Sequence, residues 1–89
     1  MDYQKLTQKL LEGGDARSAV FLQGLIDALK RRVDNLDIEQ PYQEGTVEYD
    51  AYFAGCHRGN NEWRYALHTN GNDRAKAVAY FERLVREAA

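Results

Sequence analysis

Leu22, Leu25, Ile26, Leu29, Val33 and Leu36 fall at offsets 0, 3, 4, 7, 11 and 14 along the chain. That spacing gathers six large aliphatic side chains on one face of a helix with 3.6 residues per turn, whereas a strand would divide them between its two faces. The periodicity predicts a helix over about Asp15–Leu36, with Asp15 as its cap. Phe21 and Ala28 flank the apolar face. Asp27, Lys30, Arg31 and Asp34 fall on the other side, and Asp27 and Arg31 are spaced for an i, i+4 ion pair. Gly24 interrupts this pattern. Inside a helix it costs about 1 kcal/mol relative to alanine, so it marks a place where another segment comes close.

The same reasoning finds further helices. Tyr3, Leu6, Leu10 and Leu11 define a first helix over Asp2–Glu12, stopped by Gly13-Gly14. Residues 37–45 (DIEQPYQEG) form a connector, broken by Pro41 and loosened by Gly45, which Ile38 and Tyr42 can pin to the core. A third helix starts at the N-cap Thr46 and runs to Thr69, with Val47, Ala51, Gly55, Gly59, Trp63 and Leu67 in an i+4 series. Gly59-Asn60-Asn61 leaves two readings open: a continuous helix, or a break with Asn61 capping a fresh start at Glu62. Asn70-Gly71-Asn72 is a turn, after which Asn72 or Asp73 caps a fourth helix with Ala77, Val78, Phe81, Leu84, Val85 and Ala88 on one face. No strand-like alternation extends beyond a few residues. The expected fold is all-α: a single compact domain over residues 1–89, of three to four antiparallel helices with short loops.

Composition removes several classes of function. The single cysteine, Cys56, excludes an internal disulfide. The N-terminal stretch MDYQKLTQKLLEGG lacks the apolar core of a signal peptide. No segment approaches the roughly 20 apolar residues of a membrane span. A net charge of −2 offers no bulk attraction to nucleic acid or anionic lipid.

Few residues carry site chemistry. Ala51, Gly55 and Gly59 strip side-chain bulk from one strip of the third helix, so a second helix can approach closer than the usual 8–10 Å or so. That partner is either internal, near Gly24 or on the fourth helix, or another molecule. Tyr49, Tyr52, Phe53, Trp63 and Tyr65 crowd the same helix, too many to face one side, so some rings lie at the core edge or on the surface, either as anchors for a partner or wrapping the boundary of a small core with their polar tips in water. Cys56 and His57 point about 100° apart and His68 is three turns away, so neither a metal site nor a nucleophilic pair forms. Lys30, Arg31, Arg32, His57, Arg58 and Arg64 are the only basis for nucleic-acid binding, without a recognisable spacing. Glu39, Glu44, Glu48 and Asp50 read as solvation and capping. No catalytic residue, cofactor or small-molecule substrate is indicated.

The run Tyr49-Asp50-Ala51-Tyr52-Phe53-Ala54-Gly55-Cys56-His57-Arg58-Gly59-Asn60-Asn61-Glu62-Trp63-Arg64 resembles a segment of small, mostly uncharacterised proteins of tailed bacteriophages. In those, an aromatic-Ala-Gly run is followed four residues on by a second glycine and then an aromatic. The resemblance implies a phage-encoded accessory or virion component, placed in the host cytoplasm or the virion, and supplies no catalytic residues. The expectation is a helical protein–protein interaction or assembly module that binds a partner or itself as a homo-oligomer. It acts through Tyr49, Tyr52, Phe53, Gly55, Gly59, Trp63 and Tyr65 and is not an enzyme; the alternative is a nucleic-acid-binding regulator.

Overall fold

Every helix begins at a short polar side chain that accepts a backbone N–H three residues on. In the computed structural model, which describes residues 1–14 and 16–88, these are α1 (Tyr3–Leu10, capped by Asp2), α2 (Ala19–Val33, Ser18), α3 (Val47–Thr69, Thr46) and α4 (Arg74–Glu87, Asp73). Each cap satisfies one donor that the first helical turn leaves free. The ends are equally local in origin. Gly71 takes a left-handed conformation after α3, and the Asn72 N–H donates to the Leu67 carbonyl at 2.8 Å, closing the helix.

Two boundaries of α2 differ from the periodicity. Ser18, extended and with its Oγ 3.1 Å from the Phe21 nitrogen, starts the helix later than expected; Asp15, the expected cap, lies outside the described residues. Asn35 turns left-handed and stops it at Val33, which leaves Leu36 outside the helix and 48% exposed. The third helix, by contrast, is unbroken through Gly59-Asn60-Asn61. The Asn60 amide oxygen accepts from Arg32 and that of Asn61 from Arg64, so neither side chain turns back to cap the backbone.

The direction of the helices follows from their contacts. The Tyr3 hydroxyl donates to Asp34 and the Lys30 ammonium lies over the Tyr3 ring, so α1 starts where α2 ends: this pair is antiparallel. Trp63 packs against Phe81 beyond the tight turn at Gly71, which makes α3 and α4 antiparallel as well. The central pair is different. Gly55 sits on the Phe21 carbonyl, and one turn further along both helices Gly59 sits on the Leu25 carbonyl. Contacts that advance together in both helices mean that α2 and α3 run parallel. The all-α reading holds, but antiparallel packing through short loops does not describe this seam. Residues 34–46 carry the chain back along α2 instead, so the molecule is two helical hairpins joined through a parallel pair.

Leu6, Leu25, Leu29, Trp63, Ala66, Ala77 and Phe81 form the main core, to which all four helices contribute. Ala28, Tyr52 and Cys56 form a second cluster on the other flank of α2, covered by Val20 and by Tyr42 of the connector.

Candidate interaction surface on the third helix

The expected site residues separate into two groups. Gly55, Gly59, Tyr52 and Trp63 are buried; Tyr49 is half-buried, and Phe53 and Tyr65 are exposed. The glycines line the parallel seam. A Cβ at Gly55 would lie 1.9 Å from the Phe21 carbonyl oxygen, and one at Gly24 would lie 2.0 Å from that of Tyr52. The relation is reciprocal: each glycine lies against the carbonyl of the residue three before the other glycine. Such close backbones aim Cα–H groups at carbonyl oxygens, a weak but recurrent contact between helices. Gly59 extends the seam, with a Cβ there meeting the Leu25 oxygen at 2.8 Å and the Ala28 Cβ at 2.9 Å. The small-residue ridge is therefore an internal contact with α2.

Bringing α3 onto this flank of α2 buries groups that the periodicity places outside. Asp27 is only 6% exposed. Its carboxylate accepts from the Tyr52 hydroxyl at 2.7 Å and from Gln23 Nε2 at 2.7 Å. Arg31 donates through Nη2 to the Tyr52 hydroxyl at 2.9 Å and to the Ile38 carbonyl at 2.6 Å, and its Nη1 lies 3.7 Å from Cys56 Sγ. Asp27 and Arg31 thus meet on the Tyr52 hydroxyl rather than as the direct ion pair their spacing predicts. Burial, and then the bond to Asp27, push the Tyr52 hydroxyl pKa well above its ordinary range. Burial alone would lower the Arg31 pKa, but its bonds to Tyr52 and Cys56 outweigh this and raise it. Every polar group of this cluster has a partner within the fold, so it fastens α2, α3 and the connector together. It frees no nucleophile. His57 and His68 are exposed, and among the described residues no three potential metal-ligating side chains gather.

The cations have internal work too. Arg32 bonds to Asn60, Arg58 to Glu62 and the Leu10 carbonyl, and Arg64 to Asn61. Arg74 caps the end of α2 by donating to the carbonyls of Arg32 and Val33, and its guanidinium lies over the Trp63 ring. Lys30 is over Tyr3 and Arg17 over Phe21.

What remains open is the start of α3. With Phe21 beside Gly55, α2 begins where α3 is already about a turn and a half along, so the first residues of α3 project past it. Val47 is 80% and Phe53 41% exposed, and Tyr49 lies against Phe53 with ring centroids 4.6 Å apart. Tyr65, 57% exposed, sits on a separate part of the surface further along the helix. Periodicity missed Val47, which belongs to the i+4 series but lies beyond the helix that series packs against. Charge is divided in the same place. Residues 34–56 hold Asp34, Asp37, Glu39, Glu44, Glu48 and Asp50 and no Lys or Arg, so the net −2 splits into −6 here and +4 elsewhere. All six are exposed, and the ion pairs found among the described residues, Lys9–Glu12 and Arg58–Glu62, use none of them. The missing signal was legible as the absence of any cation between Val33 and His57.

A concave feature lies between α1 and α2, an open groove of about 370 Å³ lined by Thr7, Leu11, Leu22 and Ile26 among others. The Thr7 hydroxyl is buried and has no hydrogen-bond partner. No helix among the described residues is long and apolar enough to cross a membrane. Comparison with family models, curated proteins and solved structures finds no match to the chain.

Proposed function

We propose that the chain is a non-catalytic protein-interaction module whose working surface is the projecting start of α3. The observation that carries this reading is the exposure of Val47 and Phe53 at the projecting start of the helix, with half-buried Tyr49 against Phe53, while Tyr52 and Trp63 are buried. A small chain that leaves large apolar groups in water at one end of a helix, two of them rings in mutual contact, marks that end as a contact surface. The resemblance of residues 49–64 to phage proteins supports reading such a module as an accessory or virion component. Its two glycines, however, serve the internal seam here, so the resemblance speaks for the packing of α3 as much as for a shared partner. Nucleic-acid binding has less support, because Arg31, Arg32, Arg58 and Arg64 are all engaged within the fold.

The test compares the full chain with a Val47→Ser/Phe53→Ser variant. Light scattering over a range of concentrations reads self-association, and co-purification from producing cells reads a partner. The expected result is an assembly or partner that depends on both residues, with thermal unfolding unchanged. A chain that stays monomeric and retains nothing in a Phe53-dependent way overturns the proposal.

A further inference from the structure

We propose that the groove between α1 and α2 binds a small neutral molecule, one with an apolar body and a single hydroxyl or carbonyl group. This site lies on other helices than the interaction surface of α3 and stands independently of it. Its walls follow from helical geometry. On α1, Gln4, Thr7, Gln8 and the C-cap Leu11 stand at i, i+3, i+4 and i+7. On α2, Ala19, Leu22, Gln23 and Ile26 stand at the same four offsets. Each set therefore occupies one face of its helix, and the two faces border the same open space of about 370 Å³. That is the small end of the range for ligand sites, about 300–1,000 Å³. Leu22 belongs to the aliphatic stripe of α2, yet it packs in neither core cluster and is left half-buried beside the groove.

The floor of the groove selects what fits. Thr7 is 5% exposed, whereas Gln4 and Gln8 on either side of it are exposed and form the rim. A threonine inside a helix can satisfy its hydroxyl on the carbonyl four residues earlier, as Thr69 does on Tyr65 at 2.9 Å. Thr7 makes no such bond, and no other group of the fold reaches its Oγ1. A buried hydroxyl without a partner weakens the folded state, and a ligand oxygen seated beside it removes that cost on binding. None of the residues lining the groove is ionisable, so a charged ligand would lose hydration there without gaining a counter-ion. Leu11, Leu22 and Ile26 offer aliphatic surface to an apolar body instead. Gln23 is held by its Nε2 bond to Asp27 at 2.7 Å, which fixes that wall before a ligand arrives.

The experiment titrates three probes of one size, 1-hexanol, hexanoate and hexylammonium, into the full chain at about pH 7, where both ions are charged. Amide and methyl chemical shifts follow the binding. We expect 1-hexanol to give saturable shifts confined to residues 4–11 and 19–26, and the two ions to bind at least about tenfold more weakly. Thr7→Val keeps the shape and removes the hydroxyl. It should weaken 1-hexanol about three- to tenfold while thermal unfolding stays level or rises. Thr7→Ser restores the hydroxyl and should recover most of the affinity. Binding lost while stability is kept is a combination that a merely structural threonine does not give. Leu22→Gln, at a half-buried position outside the core clusters, should weaken 1-hexanol by at least as much, since it removes apolar wall. Unchanged affinity in either Thr7→Val or Leu22→Gln, or equal binding of the three probes, overturns the assignment. So do shifts that fail to saturate at the solubility limit of 1-hexanol, or that centre on Val47 and Phe53 rather than on the groove.

Discussion

The two flanks of α2 meet their neighbours in opposite ways. Towards α3 the contact is backbone on backbone, with glycines at 24, 55 and 59 and every polar side chain beneath it satisfied. Towards α1 it is side chain on side chain, leaving an open groove of about 370 Å³ and a buried Thr7 hydroxyl without a partner. The first contact is made by deleting atoms, so it has no slack; the second is made by filling space, and it is incompletely filled. Sensitivity to substitution should follow that difference rather than burial alone.

The largest effect belongs to the seam. Gly55→Ala puts a methyl 1.9 Å from the Phe21 oxygen, and Gly24→Ala puts one 2.0 Å from the Tyr52 oxygen, each against backbone that can yield only by moving a whole helix. We expect a loss of about 3–5 kcal/mol in urea unfolding followed by circular dichroism, despite the gain in helix propensity of about 1 kcal/mol. A variant stabilised by that propensity gain would break the comparison. Tyr52→Phe comes next: it removes one partner each from Asp27 and Arg31 without opening a cavity, for a loss of about 1–3 kcal/mol.

The same hydroxyl sets a pH dependence. Burial and hydrogen bonds to Asp27 and Asp34 raise the folded-state pKa of Tyr52 and Tyr3 above the ordinary 10.0. Their contribution is therefore complete below pH 10 and is lost as pH rises beyond it, because the unfolded chain releases those protons first. Unfolding free energies measured from about pH 8 to about pH 11 should fall at the alkaline end, and less steeply in Tyr52→Phe. A flat profile in the parent chain would contradict the burial of these hydroxyls. The smallest effect lies on the α1 flank. Thr7→Val removes the unpaired hydroxyl at nearly constant shape and should be neutral or stabilising by up to about 1 kcal/mol. A clear destabilisation would show that the hydroxyl has a partner, and the two flanks would then be more alike.

Much of this fold was legible in the residues themselves. The aliphatic stripe of α2, the caps at Thr46 and Asp73 and the turn at Gly71 are local signals, and the local structure obeys them. The glycine ridge announced a close approach, and Gly24 named its other side. Direction was not legible, because a small residue packs equally well against a helix running either way. Asp27 was misplaced for a related reason. Periodicity locates the face rich in apolar side chains, whereas the α3 flank of α2 is defined by what glycine lacks, and so it looks polar. Of the proposed interaction surface, the aromatic surplus was readable. Which rings escape burial depended on the stagger between α2 and α3, which no single helix encodes.

The parallel seam also changes what the connector is for. Residues 34–46 act as a tether that holds α1–α2 against α3–α4 at a high effective concentration, on the order of millimolar for a short flexible link. Cut there, the halves become a two-chain system whose reassociation reads the whole contact between them, glycine seam and shared core together, as a dissociation constant. Shortened below the span of α2, the same tether can no longer close within one molecule, and the halves pair across two copies as a domain swap.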